Sequence, residues 1–69
     1  MRITAVVRGP SPGTREVELA EAAPAGALLA ALNIHPGTVL IVRSGVPIPR
    51  DATLFEGERI EIIHVISGG

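Results

Sequence analysis

Apolar and polar positions alternate over the first eight residues. Ile3, Ala5 and Val7 fall on one face, with Arg2, Thr4, Val6 and Arg8 on the other. A period of two marks a half-buried strand. The cluster Gly9-Pro10-Ser11-Pro12-Gly13 then turns the chain, and residues 14–19 alternate again, Val17 and Leu19 opposing Glu16 and Glu18. Two such runs joined by a short turn-rich loop predict an antiparallel hairpin. From Pro24 the period lengthens: Ala25, Leu28, Leu29 and Leu32 recur at helical spacing. A short helix is predicted over residues 24–32, with Pro24 at its first position. No Ser, Thr or Asp caps its start, and Gly26 costs it up to about 1 kcal/mol against alanine. Such a helix must be held by packing its leucines onto a sheet. Asn33 suits a left-handed stop, with Ile34 as the hydrophobic contact after it.

Residues 38–43 read as a third strand, Ser44-Gly45 as a turn, and Val46-Pro47-Ile48 as a short edge piece, because proline cannot donate to a central ladder. Residues 50–55 read as an irregular connection, Glu56-Gly57-Glu58 as a turn, and residues 59–66 as the last strand. Strands before and after one helix predict an α+β domain, β-β-α-β-β, with the helix across one face of a mostly antiparallel or mixed sheet. Residues 1–66 form this one domain, and residues 67–69 a flexible tail.

One helix covers one sheet face, so the strands should be polar on the other. The third and last strands are not. Val39 and Ile41 oppose Leu40 and Val42, while Ile60 and Ile62 oppose Ile63 and Val65. Leu40, Val42, Ile63 and Val65, with Val6, are therefore expected to form an exposed apolar patch, the usual mark of a partner site. A second copy of the chain, or residues 46–55 folding over the patch, would cover it equally well.

Composition narrows the chemistry. The chain has 69 residues, 46% of them hydrophobic, with Phe55 the sole aromatic, so its small core is built from aliphatics. Without cysteine there is no disulfide, thiolate site or thiol nucleophile, which accords with a reducing cytoplasm. The net charge is −1, from six arginines and seven acids, and gives no basic face for nucleic acid. There is no lysine, so an activated acyl group on this chain would find no lysine amine on its own surface. Residues 22–42 carry no formal charge, but Pro24, Gly26, Asn33, His35, Pro36 and Gly37 interrupt them and no membrane helix is expected. Met1-Arg2-Ile3 is unlike a signal peptide. These features predict a soluble, cytoplasmic protein.

No catalytic constellation is present: no Ser-His-Asp set, no H-E-x-x-H, no phosphate loop and no G-x-G-x-x-G. His35, before Pro36, is expected in an exposed turn. His64, on the core-side register of the last strand, is expected to be partly buried and hydrogen-bonded. Glu56, Glu58 and Glu61 are read as a solvated acidic edge rather than a metal site, and Phe55, beside Leu54, as core. What remains is the ending, Ser67-Gly68-Gly69, where an apolar strand leads into two glycines. Glycines leave a narrow channel unobstructed and adopt backbone angles closed to other residues.

The β-β-α-β-β order, the Leu54-Phe55-Glu56-Gly57-Glu58 turn, the apolar last strand and the ending Val65-Ile66-Ser67-Gly68-Gly69 together resemble the ubiquitin-like sulfur carriers of the ThiS/MoaD family. The resemblance covers essentially the whole chain. It implies a β-grasp fold with first and last strands paired in parallel. It also implies that an E1-like adenylyltransferase uses ATP and Mg to convert the Gly69 carboxylate into an acyl-adenylate, which a persulfide or sulfide attacks to give a thiocarboxylate. Gly69 would be the modified residue, Ser67 and Gly68 the leader, and Leu40, Val42, Ile63 and Val65 the docking surface. The chain would be a co-substrate, not an enzyme, with no bound cofactor. Its implied partners are a sulfur donor (a cysteine desulfurase or rhodanese-type protein) and an acceptor such as thiazole synthase or a tRNA thiolase. The Ile-Ser-Gly-Gly ending and short length look more like the thiamine and tRNA-thiolation carriers than the small subunit of molybdopterin synthase. A protein modifier joined through Gly69 to lysines of other proteins, and a β-grasp interaction module, are the remaining readings.

Overall fold

The computed structural model describes residues 1–65; Ile66, Ser67, Gly68 and Gly69 lie outside the described residues, and with them the tail and the expected end of the last strand. Five strands form one mixed sheet. They are β1 (Arg2–Arg8), β2 (Gly13–Glu18), β3 (Val39–Arg43), β4 (Val46–Ile48) and β5 (Arg59–His64), in the spatial order β2-β1-β5-β3-β4. The hairpin β1–β2 is antiparallel, as are β3–β4 and β3–β5, while β1 and β5 run parallel. The sequence-based elements therefore hold, with ends shifted by one or two residues. Thr38 belongs to a 3-10 turn (Pro36–Thr38) that precedes β3, and Leu19 follows β2 but still donates its N–H to Met1 O at 2.8 Å.

The helix α1 (Ala25–Ala31) lays Ala25, Leu28, Leu29 and Leu32 against Ile3, Ala5, Ile41, Ile60 and Ile62 of the sheet. Those five sheet residues belong to three different strands. Ile60 and Ile62 are fully buried because β5 occupies the middle of the sheet and lies directly under the helix. Burying such aliphatic side chains contributes about 1.5–3 kcal/mol each before chain entropy is counted.

Both ends of α1 are satisfied by backbone. Pro24 takes the N-cap position rather than the first helical position, and no side chain caps the helix. Instead the Ala25 N–H donates to Ala52 O and the Gly26 N–H to Arg50 O, each at 2.8 Å. A Cβ at position 26 would stand 3.4 Å from Arg50 O, an ordinary van der Waals contact, so this loop packs closely on the first turn. At the other end Asn33 is left-handed (φ 60), its N–H donating to Ala30 O at 3.1 Å, and the Ile34 N–H donates to Leu29 O at 2.9 Å. This pair of bonds is a Schellman motif, and Ile34 packs back onto the core as its hydrophobic partner.

The connection over residues 49–58 is more ordered than its sequence suggests. Thr53 forms an isolated antiparallel bridge with Pro24, the Leu54 N–H donates to Ala23 O at 2.9 Å, and Leu54 is fully buried. Arg43 ties the segment to the sheet. Its Nη2 donates to Thr53 O at 2.7 Å and to Glu58 Oε1 at 3.0 Å, and its Nε lies 2.8 Å from Glu58 Oε2, an ion pair with the N–H off the hydrogen-bond line. Glu58 Oε1 also accepts from the Phe55 N–H at 2.7 Å. Phe55 is the correction here. It is 61% exposed instead of core, because Leu54 fills the interior position and the following turn, with Gly57 at φ 78, directs its neighbour outward. The Arg43 guanidinium sits 5.9 Å from the Phe55 ring centroid, a cation–π contact worth about 0.5–1 kcal/mol at such a site.

Gly9 ends β1 in a conformation that favours glycine (φ 152), and a Cβ there would stand 2.8 Å from His64 Nδ1 and 2.9 Å from His64 Cβ. Gly9→Ala is expected to lower stability by more than about 1 kcal/mol in denaturant titrations. Adding His64→Ala should restore only the part due to the ring, since alanine keeps the Cβ that stands 2.9 Å away. No recovery in the double variant would show that the ring carries none of the cost.

Candidate functional site

β5 presents two different faces. Ile60, Ile62 and His64 point to the helix side; Glu61, Ile63 and Val65 point to the uncovered side. Ile63 pairs with Leu40 of β3 and with Arg8 of β1, and Glu61 pairs with Val42 and with Val6. The open face therefore has two rungs. The first, beside the end of β5, is Arg8–Ile63–Leu40, continued by Val65. The second, deeper along the sheet, is Val6–Glu61–Val42.

These rungs differ in exposure, and the difference corrects the expected patch. Leu40 and Val65 are each 45% exposed and Ile63 is partly exposed, but Val42 is 6% exposed and Val6 is also buried. Glu61 stands between the two valines on the inner rung, and Arg8 Nε donates to its Oε2 at 2.6 Å, so an ion pair spans the two rungs on this face. Residues 46–55 do not cover the patch; their carbonyls go to the helix N-terminus on the other side. Three of the four expected docking residues thus remain accessible, gathered where the chain leaves the sheet. The Val65 N–H donates to Thr38 O at 3.0 Å, which extends the ladder one bond beyond β5. The reactive residue assigned by resemblance, Gly69, and its leader Ser67 and Gly68 lie outside the described residues.

The other candidate side chains have structural partners. His64 is partly buried, its Nδ1 3.4 Å from Arg8 O, and His35 is exposed, its Nδ1 accepting from the Gly37 N–H at 3.0 Å. The three glutamates do not form one solvated edge. Glu61 pairs with Arg8, Glu58 with Arg43, and Glu56 accepts from the Arg2 N–H at 3.2 Å. Among the described residues no three His, Asp or Glu side chains are grouped to hold a metal ion. A groove of about 330 Å³ between the β1–β2 loop and the end of α1 is lined by Val7, Ser11, Arg15, Leu32, Ile34 and His64. Ser11 and His64 share this groove, but the polar contact of the His64 ring is with Arg8 O and not with the Ser11 hydroxyl. No helix of the described residues is long and apolar enough to cross a membrane.

A single helix on a mixed five-stranded sheet, with first and last strands paired in parallel at its centre, is the ubiquitin-like β-grasp. The chain belongs to the small archaeal modifier protein 2 family, whose model matches residues 1–66. The crystal structure of SAMP1 from Haloferax volcanii superposes with a TM-score of 0.77 over all of both chains at 18% identity. Caldiarchaeum subterraneum ubiquitin does so with a TM-score of 0.74, over all of this chain and 98% of that one, at 23% identity. These likenesses concern the fold. An uncharacterized protein of Archaeoglobus fulgidus is 40% identical over 42 residues, and the match spans 61% of each chain. The family assignment agrees with the ubiquitin-like carrier class expected from the sequence.

Val42→Glu is expected to destabilise the fold by about 2 kcal/mol or more, because it buries a charge beside Glu61. Leu40→Glu should leave the melting temperature within the range of ordinary surface changes. Equal melting of the two variants would overturn the division of this face into a shielded rung and an accessible one.

Proposed function

We propose that this protein is an activated-carboxylate carrier whose sulfur-bearing form is made at Gly69. A partner adenylyltransferase joins the Gly69 carboxylate to the α-phosphate of ATP, releasing pyrophosphate and leaving an acyl-adenylate. A carboxylate is a poor electrophile; with AMP as leaving group its carbon becomes open to attack. Sulfide attacks that carbon and expels AMP, giving a C-terminal thiocarboxylate; where a protein persulfide attacks, a thiol must then cleave the resulting acyl disulfide. The thiocarboxylate then donates its sulfur in cofactor synthesis, as for thiamine, or in tRNA thiolation. Leu40, Ile63 and Val65 dock the activating partner, with Val42 supporting them from beneath, and Ser67 and Gly68 thread into its active site. ATP and Mg belong to that partner.

The observation that supports this reading best is the accessible apolar rung of Leu40, Ile63 and Val65, whose last member stands just ahead of Gly68-Gly69 in the sequence. An apolar surface beside the exit of a reactive tail lets one partner hold the domain and reach the tail together. Catalysis then belongs to the partners. The family description favours a second reading, in which the same activated Gly69 is passed to lysines of other proteins. The activation step is common to both; only the nucleophile differs, sulfur or amine.

Intact-mass spectrometry after incubation with the adenylyltransferase, ATP and a sulfide source tests the first reading. Exchange of one oxygen for sulfur on the whole chain is the expected result. Conjugates to other proteins that vanish when Gly69 is removed would support the second reading, and absence of any adduct would exclude both. Deleting Gly68 and Gly69 should abolish activation with no change in melting temperature. Leu40→Glu should slow adenylation while leaving the tail chemistry intact.

A further inference from the structure

The two edges of the sheet differ in what they offer a further strand. β4 is 3 residues long with Pro47 at its middle, which has no N–H to donate. β2, at the other edge, holds no proline. Its bonding phase follows from its neighbours. The Leu19 N–H donates to Met1 O, one step beyond the Arg2–Glu18 pair, so the bonded pairs of this hairpin fall on Ile3–Val17, Ala5–Arg15 and Val7–Gly13. The Thr4 N–H, turned the other way, goes to Glu58 O. Thr14, Glu16 and Glu18 therefore direct their N–H and C=O groups away from the sheet, a row of donors and acceptors that no strand of the described residues pairs.

The side chains of this edge fall into two sets. Thr14, Glu16 and Glu18 stand on the open side, where Arg2 lies 3.6 Å from Glu16 and 3.1 Å from Glu18. Arg15 and Val17 stand on the helix side, in register with Ala5 and Ile3. Arg15 is exposed and has no ion-pair partner among the described residues. The 330 Å³ groove begins beside it. Gly13, the next helix-side position, has no side chain to close the groove from the edge, and a Cβ there would meet nothing within 4 Å. Val7, Leu32 and Ile34 supply the apolar lining behind it.

A second copy of β2 suits this edge poorly. The two-fold antiparallel registers that pair the strand with itself over most of its length set Glu16 against Glu16, Arg15 against Arg15, or Glu16 against Glu18. Like charges directly opposite destabilise a ladder. We propose that β2 accepts an extended segment of another protein as an added antiparallel strand, with an acidic residue opposite Arg15 and an aliphatic residue two positions later, opposite Gly13, that enters the groove. Both positions are non-hydrogen-bonded on the outer edge, where facing side chains come closest. The residue opposite Val17 is apolar; those opposite Glu16 and Thr14 are cationic and hydroxylic. Main-chain bonds to Thr14 and Glu16 hold the segment, and the alternate side chains select it. Three strand spacings separate this edge from β3, roughly 14 Å at ~4.8 Å each. The selecting side chains lie on the helix side, so Leu40 and Val65 stay accessible while the edge is occupied. The proposal is independent of any chemistry at Gly69.

The probe is the capped peptide Ser-Val-Lys-Glu-Thr-Leu-Ser, added in excess to the full chain at low ionic strength while amide exchange is followed residue by residue. Exchange at Thr14 and Glu16 should slow at least about fivefold, as for newly bonded amides, with Leu40 unchanged. Replacing the peptide's glutamate by lysine should weaken binding about threefold to tenfold. Arg15→Glu, at an exposed position, should keep the wild-type melting temperature and reverse the preference between the two peptides. Should that variant unfold, the comparison of the two peptides on the wild-type chain still decides. No slowing at Thr14 and Glu16, or equal binding of both peptides, would overturn the proposal. Slowing that needs no peptide and grows with protein concentration would also overturn it, in favour of a second copy.

Discussion

The parallel ladder between β1 and β5 is the constraint on which the rest depends. It joins strands from opposite ends of the chain and places β5 at the centre of the sheet. Centrality buries Ile60 and Ile62 under α1 and leaves Glu61, Ile63 and Val65 on the uncovered side. The same pairing sets the end of β5 beside Gly9, where His64 Nδ1 lies 3.4 Å from Arg8 O. Parallel pairing cannot be closed by a tight hairpin, so everything between the two strands serves as the crossover. The helix, the β3–β4 hairpin and the 49–58 segment are therefore parts of one connection, held against a single ladder.

The 49–58 segment shows how so weak a helix persists. α1 has no side-chain cap, a proline at its N-cap and a glycine in its first turn. Its open N–H groups are met by Arg50 and Ala52 carbonyls, and the segment that carries them is fixed to β3 by Arg43 and Glu58. That pair is more shielded than the other ion pairs of the sheet, and it works through the backbone groups it touches, Thr53 O and the Phe55 N–H. Gly26 itself donates its N–H to the Arg50 carbonyl of this loop, at 2.8 Å.

The parts of the fold legible from the residues were those set by periodicity and by local backbone chemistry. The alternation of Ile3, Ala5 and Val7, the leucine stripe, the left-handed Asn33 and the edge position of Pro47 each follow from a rule acting within a few residues. The two-sided apolar character of β3 and β5 pointed to the exposed Leu40 and Val65 on the uncovered face. What the pattern could not supply was exposure on the open face, which depends on a neighbour across the ladder. Val42 reads like Leu40 in the sequence, yet Glu61 lies beside it and draws Arg8 across. Phe55 failed for a related reason: the choice between it and Leu54 is made by the turn at Gly57 and by Arg43, distant in sequence. The pairing of Glu58 with Arg43 was hidden for the same reason, since the two lie 15 residues apart.

The place of β5 also bears on when the protein exists as a domain. Every other strand can form a local hairpin as it is made, but none has a sheet to join until β5 inserts between β1 and β3. Contacts so distant in sequence form late and slowly, because the loop must close before its pairing gives any return. During synthesis the hairpins and the leucine stripe would wait unassembled until the strand beside the tail has emerged. A fragment broken off before residue 59 has no central strand, and its two hairpins have no sheet to join.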